Sequence, residues 1–171
     1  MLVKDKARAH AARVLQQTWS AGFPVDPERI ASQMPNMEVQ RLPLEKGISG
    51  MLRVEPDYAI IYVNSADSPE RQRFTIAHEL GHYIERTDRG QDDFNVIDYR
   101  SDKQPYDLHE FYADEFAGHL LMPTEEFLRM VHRGDPVALV AKYFGVSVPA
   151  VRQRYQRIRM MAEAEPPPPP E

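Results

Sequence analysis

Apolar positions recur along this chain at two different spacings, and each spacing predicts an element. Between residues 3 and 20, Ala7, Ala11, Val14 and Thr18 follow one another at helical intervals, with Trp19 near the end; Gly22 and Pro24 stop the run. Asp26 before Pro27-Glu28-Arg29-Ile30-Ala31 predicts a short capped helix, with proline at the position where its missing N–H costs least. Three short runs rich in β-branched and apolar residues come next, 37–42, 48–54 and 58–63, divided by turn signals at Pro43…Gly47 and Glu55-Pro56-Asp57. They predict a small three-stranded antiparallel sheet, with a free edge to which an extended peptide could add as a further strand. Ser68-Pro69 opens a long helix. Residues 87–104 are polar and acidic apart from Phe94-Asn95-Val96-Ile97, and read as a long loop bordering a cleft. Helical spacing returns over 106–122 until Pro123, and Thr124 is expected to cap a shorter helix through His132, closed by Gly134. Two further helices flank Phe144-Gly145-Val146-Ser147, and 166–170 is a polyproline run that cannot join a core and is expected to be extended and disordered.

The expected class is therefore α+β: a compact, mainly helical domain over 1–161, with a helix-turn-helix-like subregion at 135–159 and a Pro-rich tail at 162–171. A chain of 171 residues suits one domain with a real core. It has no cysteine, so any metal must be held by His, Asp or Glu. Lys4, Asp5, Lys6, Arg8 and Arg13 interrupt the N-terminus, which rules out a signal-peptide core there; no run approaches transmembrane length, and a cytoplasmic protein with no membrane partner is expected. A net charge of −5 gives no overall attraction for nucleic acid.

The candidate chemistry lies in His78-Glu79-Leu80-Gly81-His82. Residues i and i+4 of a helix stand about 40° apart round the axis and about 6 Å along it, so His78 and His82 can hold one metal ion. Glu79, about 100° round from His78, is placed to act as a base on water at that ion. Phe74, Ala77, Leu80, Gly81 and Ile84 form an apolar arc, and His78, His82, Thr75, Glu79 and Arg86 the opposite one, as on a helix lining a cleft. Gly81 lowers helix propensity by about 1 kcal/mol, so its presence mid-helix predicts another backbone packed close.

The later helix carries His109-Glu110-Phe111-Tyr112-Ala113-Asp114-Glu115-Phe116-Ala117. Ala113, Phe116, Ala117, Leu120 and Leu121 make its buried arc, Glu110 and Asp114 lie within or beside it, and Glu115, Gly118 and His119 point away. Carboxylates on an apolar face are costly unless paired. A single zinc ion answers for Glu110 as third ligand, and an imidazole N–H answers for Asp114. Tyr106 and His109 are candidates for stabilising an oxyanion. His10 and His132 sit on helices with no acidic or histidine partner in register.

With these residues on the page the chain resembles the glutamate-zincin metallopeptidases, and more closely the ImmA/IrrE family. The similar stretches are Asp26-Pro27-Glu28, Ser49-Gly50, Ser68 to His82, and Glu110 to Ala117 continuing through Leu120-Leu121-Met122-Pro123. Asp114 stands where many relatives carry Asn. The resemblance implies a zincin-like fold and hydrolysis of a peptide bond in a regulatory protein, often a helix-turn-helix repressor encoded nearby. Two other classes compete. Lys142, Arg152, Arg154, Arg157 and Arg159 make the C-terminal helices locally basic, as in a DNA-binding transcriptional regulator. A zinc-dependent interaction module without peptidase activity is the third; a structural zinc takes four protein ligands, and only three stand in register here.

Overall fold

The computed structural model describes residues 1–99 and 106–164. The elements in chain order are α1 (Val3–Thr18), α2 (Pro27–Ala31), β1 (Met37–Leu42), β2 (Ile48–Glu55), β3 (Tyr58–Asn64), α3 (Pro69–Thr87), β4 (Phe94–Tyr99), α4 (Leu108–Leu121), α5 (Thr124–Arg133), α6 (Val137–Phe144) and α7 (Val148–Ala164). Local chemistry explains several boundaries. The Asp26 carboxylate accepts from the backbone N–H groups of Glu28 and Arg29, Ser68 Oγ from Arg71 N–H, and Asp107 from His109 and Glu110. Each satisfies donors that a helix start leaves bare. At the far end of the chain α7 runs on to Ala164, three residues past the expected domain end; the polyproline run lies outside the described residues.

The sheet corrects the sequence expectation in two ways. Among the described residues it has four strands, in the order β1-β3-β2-β4, and it is mixed. The β2–β3 hairpin is antiparallel as expected, but β1 runs parallel to β3, with Val39 opposite Ile61. The stretch read as a loop contributes β4, antiparallel to β2, with Leu52 opposite Val96. Alternation fixes the faces: Met37 and Val39, Ala59, Ile61 and Val63, Leu52 and Val54, and Phe94 and Val96 all turn toward the helices. Among the described residues, β1 and β4 are the edges of the sheet.

Helix α3 lies between this sheet and α4, and α1 covers α4 from the other side. The two-arc picture of α3 therefore fails, because every residue from Thr75 to His82 is buried. Gly81 permits the closest approach: a Cβ there would sit 3.0 Å from Ala113 Cα and 3.2 Å from Phe116, so the expected close-packed backbone is that of α4. Arg73 ties α3 to the C-terminal helices, donating from Nε to the Gly145 carbonyl at 3.0 Å and from Nη2 to that of Val25.

Candidate active site

The α3–α4 contact brings His78, His82 and Glu110 together. His78 Nε2 and His82 Nε2 are 3.1 Å apart, and the Glu110 carboxylate reaches both, Oε2 to His78 at 3.3 Å and Oε1 to His82 at 3.2 Å. Donor atoms set tetrahedrally about one ion at about 2.0–2.1 Å stand about 3.3 Å from each other, so the spacing suits a single cation. Among the described residues this is the group able to hold a metal. Its electrostatics agree. Burial pushes His78 down, but hydrogen bonds to Asp114 and Glu110 outweigh it and hold the ring well above the ordinary histidine value. Burial lowers His82. Burial would raise Glu110, yet its bonds to the two histidines hold it far below the usual carboxylate range. A carboxylate set against two imidazoles is a site that favours positive charge, which a divalent cation would supply directly.

Glu79 completes the centre. It is fully buried, neither carboxylate oxygen has a hydrogen-bond partner among the described residues, and burial pushes its pKa up to about 8. It lies against the sheet at Gly50, where a Cβ would fall 3.2 Å from Glu79 Oε1 and collide with Thr75 Cγ2. Only glycine lets β2 pass this close to the Glu79 carboxylate.

Asp114 sits where the sequence placed it, its Oδ1 accepting from His78 Nδ1–H at 3.0 Å. This fixes the ring so that Nε2 faces Glu110 and His82. Its other oxygen accepts from Tyr106 Oη at 3.0 Å and Arg157 Nη2 at 3.3 Å. Tyr106 precedes α4 and spends its hydroxyl proton on Asp114; His109 donates Nδ1–H to Glu85 at 2.8 Å. Stabilising an oxyanion with Tyr106 requires breaking its bond to Asp114, whereas His109 would have to act through Nε2.

Several contributors escaped the sequence reading. Asp98 is the last inward-facing residue of β4, opposite Gly50; burial raises its pKa, and it interacts electrostatically with His78, Glu110 and Arg71. Period-two alternation through Phe94 and Val96 was the signal that could have found it. Glu115 and Gly118, expected to point away from the core, are buried under α7, and His119 is half-buried. Glu115 Oε1 accepts from Arg157 Nη1 at 2.8 Å, while Arg154 and Arg8 stand 3.9 Å from its Oε2. His119 Nδ1 accepts from Arg154 Nη2 at 3.2 Å, and burial pushes its pKa down to about 3. His10 is also partnered, its Nδ1 lying 2.6 Å from Tyr112 Oη. Two of the five basic residues offered for DNA recognition, Arg154 and Arg157, thus turn inward.

The chain is similar to several known proteins. The Peptidase_M78 family model, described as the IrrE N-terminal-like domain, matches residues 33–156. The chain is 30% identical over 138 residues to the radiation response metalloprotease IrrE of Deinococcus radiodurans, covering 79% of this chain and 39% of that protein. To the radiation response metalloprotease IrrE of Deinococcus deserti it is 33% identical over 84 residues, 48% of this chain and 29% of the relative. The chain therefore spans well under half the length of either relative. Among solved structures, a Mycobacterium tuberculosis transcriptional regulator matches with a TM-score of 0.62 and 18% identity, over 86% of this chain and 45% of that one, which shows a shared fold. No helix among the described residues is long and apolar enough to cross a membrane. From the family match and the first relative, this chain belongs to the Peptidase_M78 family, the ImmA/IrrE group its motifs resemble.

Proposed function

We propose that this chain is a zinc-dependent endopeptidase that hydrolyses a peptide bond in a regulatory protein, with a helix-turn-helix transcriptional repressor as substrate class. One observation carries the reading. Three donor side chains converge within 3.3 Å of one another, beside a buried carboxylate with no hydrogen-bond partner among the described residues. His78, His82 and Glu110 would hold the ion, and three ligands leave a position open for reaction. When bound, zinc supplies Lewis-acid polarisation of a carbonyl and makes water easier to deprotonate.

The chain's own groups do the rest. Asp114 keeps the His78 ring in one tautomer and one orientation. Glu79 takes the proton from the attacking water and delivers it to the leaving amine. Its surroundings suit that two-way role, since burial places its pKa near 8 rather than near 4.5. The edge strand β4, which carries Asp98, offers backbone groups along which an extended substrate strand could pair. The repressor as substrate rests on the family resemblance.

The test is cleavage of a helix-turn-helix repressor encoded beside this gene, in the presence of zinc. Wild-type protein should cut it at one site. The Glu79→Gln variant should retain zinc and lose about 10²- to 10⁴-fold in rate, the span of general acid–base contributions. Unchanged cleavage by that variant would rule out the mechanism.

A further inference from the structure

We propose that Arg157 is a positioning residue for the metal centre, acting through Asp114 on His78. The proposal rests on the metal-binding reading above and extends it to the C-terminal helix. Asp114 and Glu115 are neighbours on α4 but face different ways. Asp114 turns toward α3 and His78, and Glu115 is buried under α7. One guanidinium bridges the two. Arg157 Nη1 donates to Glu115 Oε1 at 2.8 Å, and Nη2 donates both to Asp114 Oδ2 at 3.3 Å and to Tyr106 Oη at 3.0 Å.

The bridge is anchored at its far end. Glu115 is only 2% exposed and also faces Arg154 and Arg8. The Arg157 guanidinium lies 5.6 Å from the centre of the Phe111 ring. The planar fork is thus set by Glu115 and Phe111 before it meets Asp114, and it presents its remaining N–H at a fixed angle. With Oδ2 held by Arg157 and Tyr106, the carboxylate cannot rotate freely, and Oδ1 stays on His78 Nδ1–H. The order of dependence is Glu115, Arg157, Asp114, His78.

The sign of the effect separates positioning from simple electrostatics. Arg157 is a cation close to a site built for a cation. If it acted only through its charge, removing it would tighten metal binding. If it holds Asp114 in place, removing it weakens binding, because the His78 ring loses its fixed orientation. Partners that orient a ligand directly are worth about 10–100-fold in metal affinity, and a group acting one step further out belongs near the lower end.

The experiment measures zinc affinity by competition with a chromophoric chelator, on purified full-length protein verified as folded by circular dichroism. Arg157→Met keeps the apolar stem and should bind zinc about tenfold more weakly than wild type. The Co²⁺-substituted variant should show a shifted d–d absorption envelope. Arg157→Lys keeps the charge beside Glu115, but a single ammonium cannot satisfy both carboxylates in fork geometry. It should also weaken zinc binding, by about threefold or more, and it is the variant to read if Arg157→Met does not fold. Unchanged or tighter zinc binding, even with a lowered melting temperature, would overturn the proposal and leave Arg157 as a clip between α4 and α7. Wild-type protein that binds no zinc would instead overturn the metal-centre reading.

Discussion

Glu79 and Glu115 are both buried glutamates in the helical half of the molecule, and their surroundings differ sharply. Around Glu115, in the seam between α4 and α7, Arg157 donates at 2.8 Å and two more arginines stand 3.9 Å away. Around Glu79, where α3 packs on the sheet, neither oxygen has a hydrogen-bond partner among the described residues, and burial pushes the pKa up to about 8. The first arrangement fastens helices together. The second holds a group at a cost to stability, and such costs gather where chemistry is done. Burial alone says little about a charged residue; what surrounds it separates a strut from a tool.

Replacing each glutamate should therefore move stability in opposite directions. Glu115→Ala strands buried Arg154 without its counter-charge and leaves Arg157 only Asp114, and denaturant unfolding should show a loss of about 3–5 kcal/mol. Glu79→Gln should stabilise the metal-free protein. A carboxylate whose folded pKa stands above its unfolded value lowers stability as pH rises from about 4.5 to about 8. At pH 7 the difference spans about 2.5 units, or about 3 kcal/mol at about 1.4 kcal/mol per unit. The gain from Glu79→Gln should appear at pH 7 and vanish at pH 4. A loss at pH 7 would show that Glu79 has a partner after all. Gly81→Ala probes the packing that unites the site. Its Cβ would meet Ala113 Cα at 3.0 Å, forcing α4 away from α3 at about 1–3 kcal/mol and carrying Glu110 from the histidines. Zinc affinity should fall with stability, whereas an Ala substitution at exposed Arg152 should change neither.

Much of this was readable in the sequence because its signals are local. Asp26-Pro27 and Ser68-Pro69 announce helix starts through side chains two or three residues from the groups they cap. His78 and His82 are set by one helical turn, and the mid-helix Gly81 announced the close approach of a neighbour. What escaped depends on contacts distant in sequence. Strand β4 is flanked by acids and exists because β2 offers it an edge some forty residues earlier. The parallel pairing of β1 with β3 is a matter of chain crossover, which no hairpin signal reports. Glu115 falls off the apolar arc of α4, and α7 buries it with arginines that the sequence presents only as basic residues near the C-terminus.

The central claim is that His78, His82 and Glu110 hold one cation, and equilibrium zinc binding tests it most directly. Metal-stripped wild-type protein should take up one zinc ion per chain. Glu110→Gln keeps the size of the side chain but removes the anionic ligand, and should lower that affinity by at least about 100-fold, a loss of about 2.7 kcal/mol. Equal stoichiometry and equal affinity in the two proteins would contradict the account.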